Sequence, residues 1–223
     1  MKKAIYLAMG LLLVSASAFS YDINDDLGDQ IGVSTFDIHG IDYSISSSAI
    51  SFDIYENYPQ TGLPVGGWNT FSGDLFIDLT GDYVWDVGVP LTGHDGLNAG
   101  SLYSLSGWNT SNDYAPAGGY IYNKNIPVTI IPDEFLLAGT VTWNTFGTGI
   151  GDSPLYKVSI NIPVLADLPF DIDEIPVLNQ QHVLFASATC ANDFVGAPEP
   201  VSTVLFIAGG SVLLVRRMRR AKK

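Results

Sequence analysis

The chain has 223 residues, with 23 Asp+Glu against 10 Lys+Arg, a formal net charge of −13, one cysteine and three histidines. A lone cysteine excludes an intrachain disulfide framework and a Cys-based structural zinc site. The acidic balance argues against nucleic acid as a partner, and 47% hydrophobic residues give more apolar surface than a disordered chain carries.

Residues 1–18 read as a secretory signal peptide. Lys2 and Lys3 form the basic start, Ala4 to Val14 is an apolar run too short to span a bilayer, and Ala16-Ser17-Ala18 offers the small side chains that signal peptidase requires. Cleavage is expected after Ala18, with Ser20 as the alternative, and the mature chain is then exported.

The exported body, residues 19–197, holds 22 acidic residues against two basic ones, Lys124 and Lys157, for a net charge of −20. Alternation and β-branched or aromatic enrichment predict strands at Ser34–Tyr43, Ala49–Tyr55, Asp74–Leu79, Tyr83–Val89, Tyr120–Asn123, Thr140–Phe146, Tyr156–Ile162 and His182–Thr189. Gly, Asn, Asp and Pro separate them, and no stretch of the body keeps a helical period. The fold class expected is all-β, an antiparallel sandwich or barrel-like single domain. Pro163–Pro176 is expected to run along an edge or as a long loop, because its prolines interrupt any central ladder.

The pair of strands around Thr80-Gly81-Asp82 permits a register argument. A three-residue loop sets Leu79 opposite Tyr83, Ile77 opposite Trp85 and Leu75 opposite Val87, all on one apolar face. Asp74, Asp78 and Asp86 then share the other face with Phe76 and Val84. The same segment supplies Asp78, Thr80, Asp82 and Asp86 at alternating spacing, the oxygen-rich pattern that a hard cation such as Ca²⁺ takes. The pattern is incomplete, since Tyr83 stands where a sharp-turn glycine is expected and Val89 where a bidentate glutamate belongs. A solvated acidic hairpin face is the other reading.

Trp-Asn-Thr occurs three times, beginning at Trp68, Trp108 and Trp143, with unequal spacings that do not support a regular repeat array. Exposed Trp beside Asn can stack on and hydrogen-bond a sugar ring; Trp as strand-end core, with Asn opening a turn, is the other meaning. The chain carries no nucleophile elbow, zinc-protease motif, phosphate loop or dinucleotide fingerprint. His39, His94 and His182 are widely separated and read as turn or sheet residues, and Cys190 as a buried thiol. Paired acids for glycoside hydrolysis are plentiful in number only.

The C-terminal end pairs an apolar run, Val201–Val215, with a basic tip over residues 216–223 that includes Arg216, Arg217, Arg219 and Arg220. Basic residues beside a spanning segment stay in the cytoplasm, so both ends predict one topology, with the body outside. Fifteen residues cover roughly 22 Å against a hydrocarbon core of about 30 Å, which suits a transient stay better than a permanent anchor. Pro198-Glu199-Pro200, the apolar run and the basic tip together resemble the PEP-CTERM sorting signal of Gram-negative bacteria. That resemblance covers only the tail, residues 198–223. It implies recognition at Pro198, Glu199 and Pro200 by the membrane protease exosortase, a passing stay in the inner membrane, and transfer of the body to the cell surface or extracellular matrix. The run from Gly73 to Asp86 and Thr189–Asp193 are also similar to segments of other exosortase-sorted surface proteins.

These readings lead to an exported surface or matrix protein with a structural or adhesive role and no enzymatic activity. A carbohydrate-binding module using the Trp-Asn-Thr sites, with extracellular polysaccharide as partner, is the alternative, and a glycoside hydrolase the third. At −20, divalent cations are expected to bridge copies to one another or to acidic polymers.

Overall fold

The computed structural model describes residues 22–25, 33–65, 68–114, 123, 125–163, 178, 182–191 and 193–196. The expected signal peptide, the whole tail from Pro198 onward, and the expected Tyr120–Asn123 strand except for Asn123 lie outside the described residues. So does the Pro163–Pro176 segment beyond Pro163.

The strands in chain order are β1 (Ile23–Asn24), β2 (Ile38–Ile45), β3 (Ala49–Glu56), β4 (Leu63–Val65), β5 (Trp68–Thr70), β6 (Leu75–Ile77), β7 (Val87–Val89) and β8 (Leu102–Thr110). One helical turn, α1 (Ser111–Tyr114), precedes β9 (Pro127–Leu137), β10 (Thr140–Thr148), β11 (Pro154–Pro163), β12 (Val183–Ala186) and β13 (Phe194–Val195). All pairings among the described residues are antiparallel: a five-stranded sheet in the order β1-β2-β3-β11-β10, a six-stranded sheet in the order β13-β12-β6-β7-β8-β9, and a β4-β5 ribbon. The all-β class expected from the sequence is what the chain adopts.

Strict alternation fixes the five-stranded sheet. Ile50, Phe52 and Ile54 of β3 stand opposite Ile162, Ile160 and Val158 of β11. With period two, all six side chains fall on one face, and all are buried. They share a hydrophobic cluster with Leu75 and Ile77 of β6, Val87 and Val89 of β7, and Val183 and Phe185 of β12. The two sheets therefore turn their apolar faces to a common core. The β2–β3 link is closed by Ser46, whose amide donates to the Ala49 carbonyl (2.9 Å) and whose hydroxyl accepts from the Ser48 and Ala49 amides. That local capture lets β2 run on to Ile45, two residues past its expected end.

The six-stranded sheet is buried on its other face as well. Phe76, Trp85, Tyr103, Ile130 and Leu184 form a second cluster there, and this changes the hairpin. Leu75 stands opposite Val89 and Ile77 opposite Val87, two residues away from the expected register. The even shift preserves parity, so Leu75, Ile77 and Val87 still face the main core. Tyr83 does not join them and is exposed, while Trp85 packs against Phe76 on the opposite face, ring centroids 6.2 Å apart. The expected solvated acidic face is also corrected: Asp74, Phe76 and Asp78 are fully buried. Gly88 makes room for this second layer, since a Cβ there would lie 2.4 Å from the Ile130 side chain.

Other boundaries shift for identifiable reasons. Ser34–Phe36 forms a 3-10 turn, so β2 starts at Ile38 rather than Ser34. β7 and β12 are shorter than expected, because the chain leaves the ladder at Asp86 and at Ser187 to make side-chain and turn hydrogen bonds. β8 and β9 were not expected from the pattern at all. Their ladder is broken by register shifts at Leu102, Tyr103, Leu105 and Asn109, which erase simple alternation. Pro132 is tolerated in β9 because that strand has a neighbour on one side only among the described residues.

Candidate functional site

The Asp78–Asp86 loop is organised by its own carboxylates. Asp78 Oδ1 accepts from the amides of Thr80 (3.1 Å) and Gly81 (2.7 Å), and its Oδ2 accepts from Tyr83 (2.8 Å). Asp86 Oδ2 accepts from Leu79 (2.8 Å) and Thr80 (3.0 Å), and Asp82 Oδ1 from Val84 (2.9 Å). A carboxylate meeting several backbone donors is well stabilised even when buried, as Asp78 is. Tyr83 takes φ 66°, the left-handed conformation that the glycine of a calcium loop supplies, although it carries a side chain. Asp78, Thr80, Asp82 and Asp86 are thus gathered in one loop and hydrogen-bonded to it. Among the described residues, no group of three or more His, Cys, Asp or Glu side chains is arranged to hold a metal ion.

The three Trp-Asn-Thr segments lie on three different sheets, in β5, β8 and β10. Trp68 is half-buried against Phe36, Tyr58, Ala188 and Cys190. Trp143 is half-buried against the main core and meets Tyr156 edge-on at 6.4 Å. The indole Nε1 of each is buried without a hydrogen-bond partner. Trp108 differs: it is 38% exposed, opposite Ile130 in the β8–β9 ladder. The asparagines sit within strands rather than opening turns, and Asn109 uses its Nδ2 to donate to Thr129 Oγ1 across the β8–β9 ladder (3.2 Å). The threonine of the first segment is structural. Thr70 is buried and its hydroxyl donates to the Leu63 carbonyl (2.8 Å) and lies 2.7 Å from the Tyr58 hydroxyl, which accepts from the Leu63 amide.

Sequence reasoning placed the histidines in turns and sheets and missed their acidic partners. His94 Nε2 lies 3.0 Å from both oxygens of the fully buried Asp74, and its Nδ1 lies 3.2 Å from Asp95. Burial opposes a charged imidazole here, but the hydrogen bond and charge of Asp74, reinforced by Asp95, prevail and push His94 up to about 9. Asp74 also accepts from the Ile130 amide (2.9 Å), so the ion pair latches the loop after β7 onto β9. No spacing rule links positions 74 and 94; only the register of β6 against its neighbours does.

A second buried polar cluster lies where β13 meets β2. Ile38 and Glu56 are cross-strand partners. The Ile38 amide donates to Asp193 Oδ2 (2.7 Å), and the Phe194 amide donates to Asp193 Oδ1 (2.9 Å). His39 Nε2 lies 3.3 Å from Asp37 Oδ2 and 3.1 Å from Asn57 Oδ1. Asp37, Glu56 and Asn57 are fully buried, and Asp193 nearly so. Cys190 lies in the adjoining cluster with Phe36 and Tyr58, buried as the sequence suggested.

The charged pair Lys157–Asp53 lies on the outer face of the five-stranded sheet, 2.8 Å apart and partly exposed, with the ammonium 5.6 Å from the Tyr55 ring centre. Pro198, Glu199, Pro200 and the Arg216–Arg220 tip lie outside the described residues. No protein-family profile matches the chain, and neither the curated proteins nor the solved structures contain a significant match.

Proposed function

We propose that the chain is an exported cell-surface or extracellular-matrix protein whose tail is a sorting signal of the PEP-CTERM kind, processed by exosortase, and whose acidic body, a two-sheet sandwich, has a structural or adhesive role. The observation that carries the reading is the order of four elements in one chain. A cleavable signal at residues 1–18 is followed by the β-body, then Pro198-Glu199-Pro200, and then the apolar run and Arg-rich tip. Two prolines fix an extended segment just outside the bilayer, open to a protease. Mass spectrometry of the protein recovered from envelope and medium tests it. The expected product begins after Ala18 and lacks Arg216–Lys223; a surface-exposed or released protein that retains the basic tip overturns the proposal.

Sugar binding is a second reading, and exposure favours Trp108 as its carrier. A glycan array with wild type and Trp108→Ala decides it: binding lost with folding intact supports the module, and no binding to any glycan removes it. Calcium at the Asp78–Asp86 loop is favoured by the left-handed Tyr83. A melting midpoint raised by Ca²⁺ and lowered by chelator in wild type, but in neither case for Asp78→Asn, supports it; an unchanged wild-type midpoint removes it.

A further inference from the structure

Glu56 differs from every other buried acid described above. Its side chain is fully buried, and neither carboxyl oxygen meets a hydrogen-bond donor. An ionised carboxylate in such surroundings is strongly disfavoured. Its near neighbour Asp193 is in the opposite position, with two backbone amides donating to its two oxygens. Those donors favour the charged form of Asp193, whereas Glu56 has none to favour its own, so of the two acids Glu56 is the one that holds a proton. Burial first, and then the charge of Asp193, lift the Glu56 carboxyl well above the ordinary glutamate range.

The location gives this proton a mechanical role. β13 belongs to the six-stranded sheet through β12, yet Asp193, the residue before it, is tied to the first residue of β2 in the five-stranded sheet. Glu56 is the cross-strand partner of that same residue, Ile38. The Asp193 carboxylate therefore clasps the two sheets together directly beside Glu56. We propose that Glu56 is carried as a neutral acid and that its ionisation drives Asp193 away from the Ile38 amide, releasing β13 from the five-stranded sheet as a pH-operated clasp.

Among the described residues, the other titratable groups around Glu56 are Tyr58, Cys190, Tyr156, Asp37 and His39. Tyr58 and Cys190 lie on the side of the small cluster, and Tyr156 of β11 is Glu56's register partner. Asp37, just before β2, and His39 flank Ile38, with the His39 imidazole directed at Asp37 and Asn57. Among the described residues none of these groups hydrogen-bonds Glu56, so an anionic Glu56 would face Asp193 without a paired donor. The clasp operates whether or not the tail is a sorting signal.

The sign is fixed by linkage. A carboxyl whose folded-state value is raised stabilises the closed form at low pH, and that stabilisation is lost as pH rises from the ordinary glutamate value to the raised one. Across that interval the opening equilibrium grows about tenfold per pH unit, then levels off. The test uses the full-length protein in detergent, with ¹³C-labelled glutamate and amide hydrogen exchange followed against pH. The expected result is a Glu56 carboxyl resonance of the protonated form at neutral pH. Protection of the Ile38 and Phe194 amides should fall about tenfold per pH unit beyond the intrinsic base-catalysed rise. Glu56→Gln should remove this additional slope whatever its effect on overall stability, and Glu56→Met serves if the glutamine variant does not fold. A Glu56 resonance that titrates in the ordinary range overturns the proposal, as does an equal slope in wild type and variant.

Discussion

The Asp78–Asp86 loop and the Asp37–Glu56–Asp193 seam both bury carboxylates, and they differ in what those carboxylates meet. In the loop, backbone amides converge on Asp78 and Asp86, so the charge is solvated by the chain itself. In the seam, Asp193 receives such donors and Glu56 receives none. The Asp74–His94 pair is a third arrangement, in which a buried acid is neutralised by a cation. The same residue type therefore organises a turn, holds a proton or anchors a charged latch, according to the donor that the fold brings to it.

Removing the cation is expected to have the largest effect, because it leaves Asp74 buried without its charged partner. His94→Ala should lose about 3–5 kcal/mol in urea unfolding near neutral pH, and a double variant with Asp74→Asn should recover part of that loss. Stability supplied by this pair is fully present below the ordinary histidine value and is lost as pH rises through about 9, so the gap between wild type and variant should close above that pH. Equal gaps at neutral and alkaline pH would show that packing, not charge, sets the effect. Removing the loop's main acceptor comes next: Asp78→Ala should cost about 2–3 kcal/mol, since amide bonds to a charged group are among the stronger ones. Unchanged amide-exchange protection at Gly81 and Tyr83 in that variant would contradict the loop's internal organisation.

Gly88→Ala should cost about 1–3 kcal/mol by forcing Ile130 away from β7. A quench of Trp85 packing in near-UV circular dichroism is the local signature to seek. The smallest effect belongs to the exposed pair: Lys157→Met should change stability by less than about 1 kcal/mol, and that difference should shrink further in high salt. A large, salt-insensitive loss would mean that the Lys157 stem over Tyr55 matters more than its charge.

Legibility followed burial on one face. The alternation of Ile50, Phe52 and Ile54, and of Val158, Ile160 and Ile162, predicts β3 and β11 to within two residues, because period two is visible when one face is apolar and the other polar. β6 misled for the opposite reason. Both of its faces are buried, so Phe76 looked like an outlier on an acidic face when it seeds a second layer. β8 and β9 were hidden by bulges and by Pro132. Of the candidate sites, the Asp78–Asp86 loop was legible because its carboxylates are neighbours in sequence. Asp74 with His94, and Glu56 with Asp193, were not, since each pair is joined by sheet pairing across a long stretch of chain.

The sequence by itself determined the all-β class, the acidic body almost free of Lys and Arg, and the succession of tail motifs from which the sorting proposal is drawn. Composition and periodicity are local properties, and these conclusions need nothing more. Only the tertiary structure decided the hairpin register, which tryptophan stays exposed, and which donors reach each buried carboxylate. Those outcomes depend on what packs over a strand's second face and on contacts between residues far apart in the chain, where a shift of two positions leaves the sequence pattern intact and changes the chemistry.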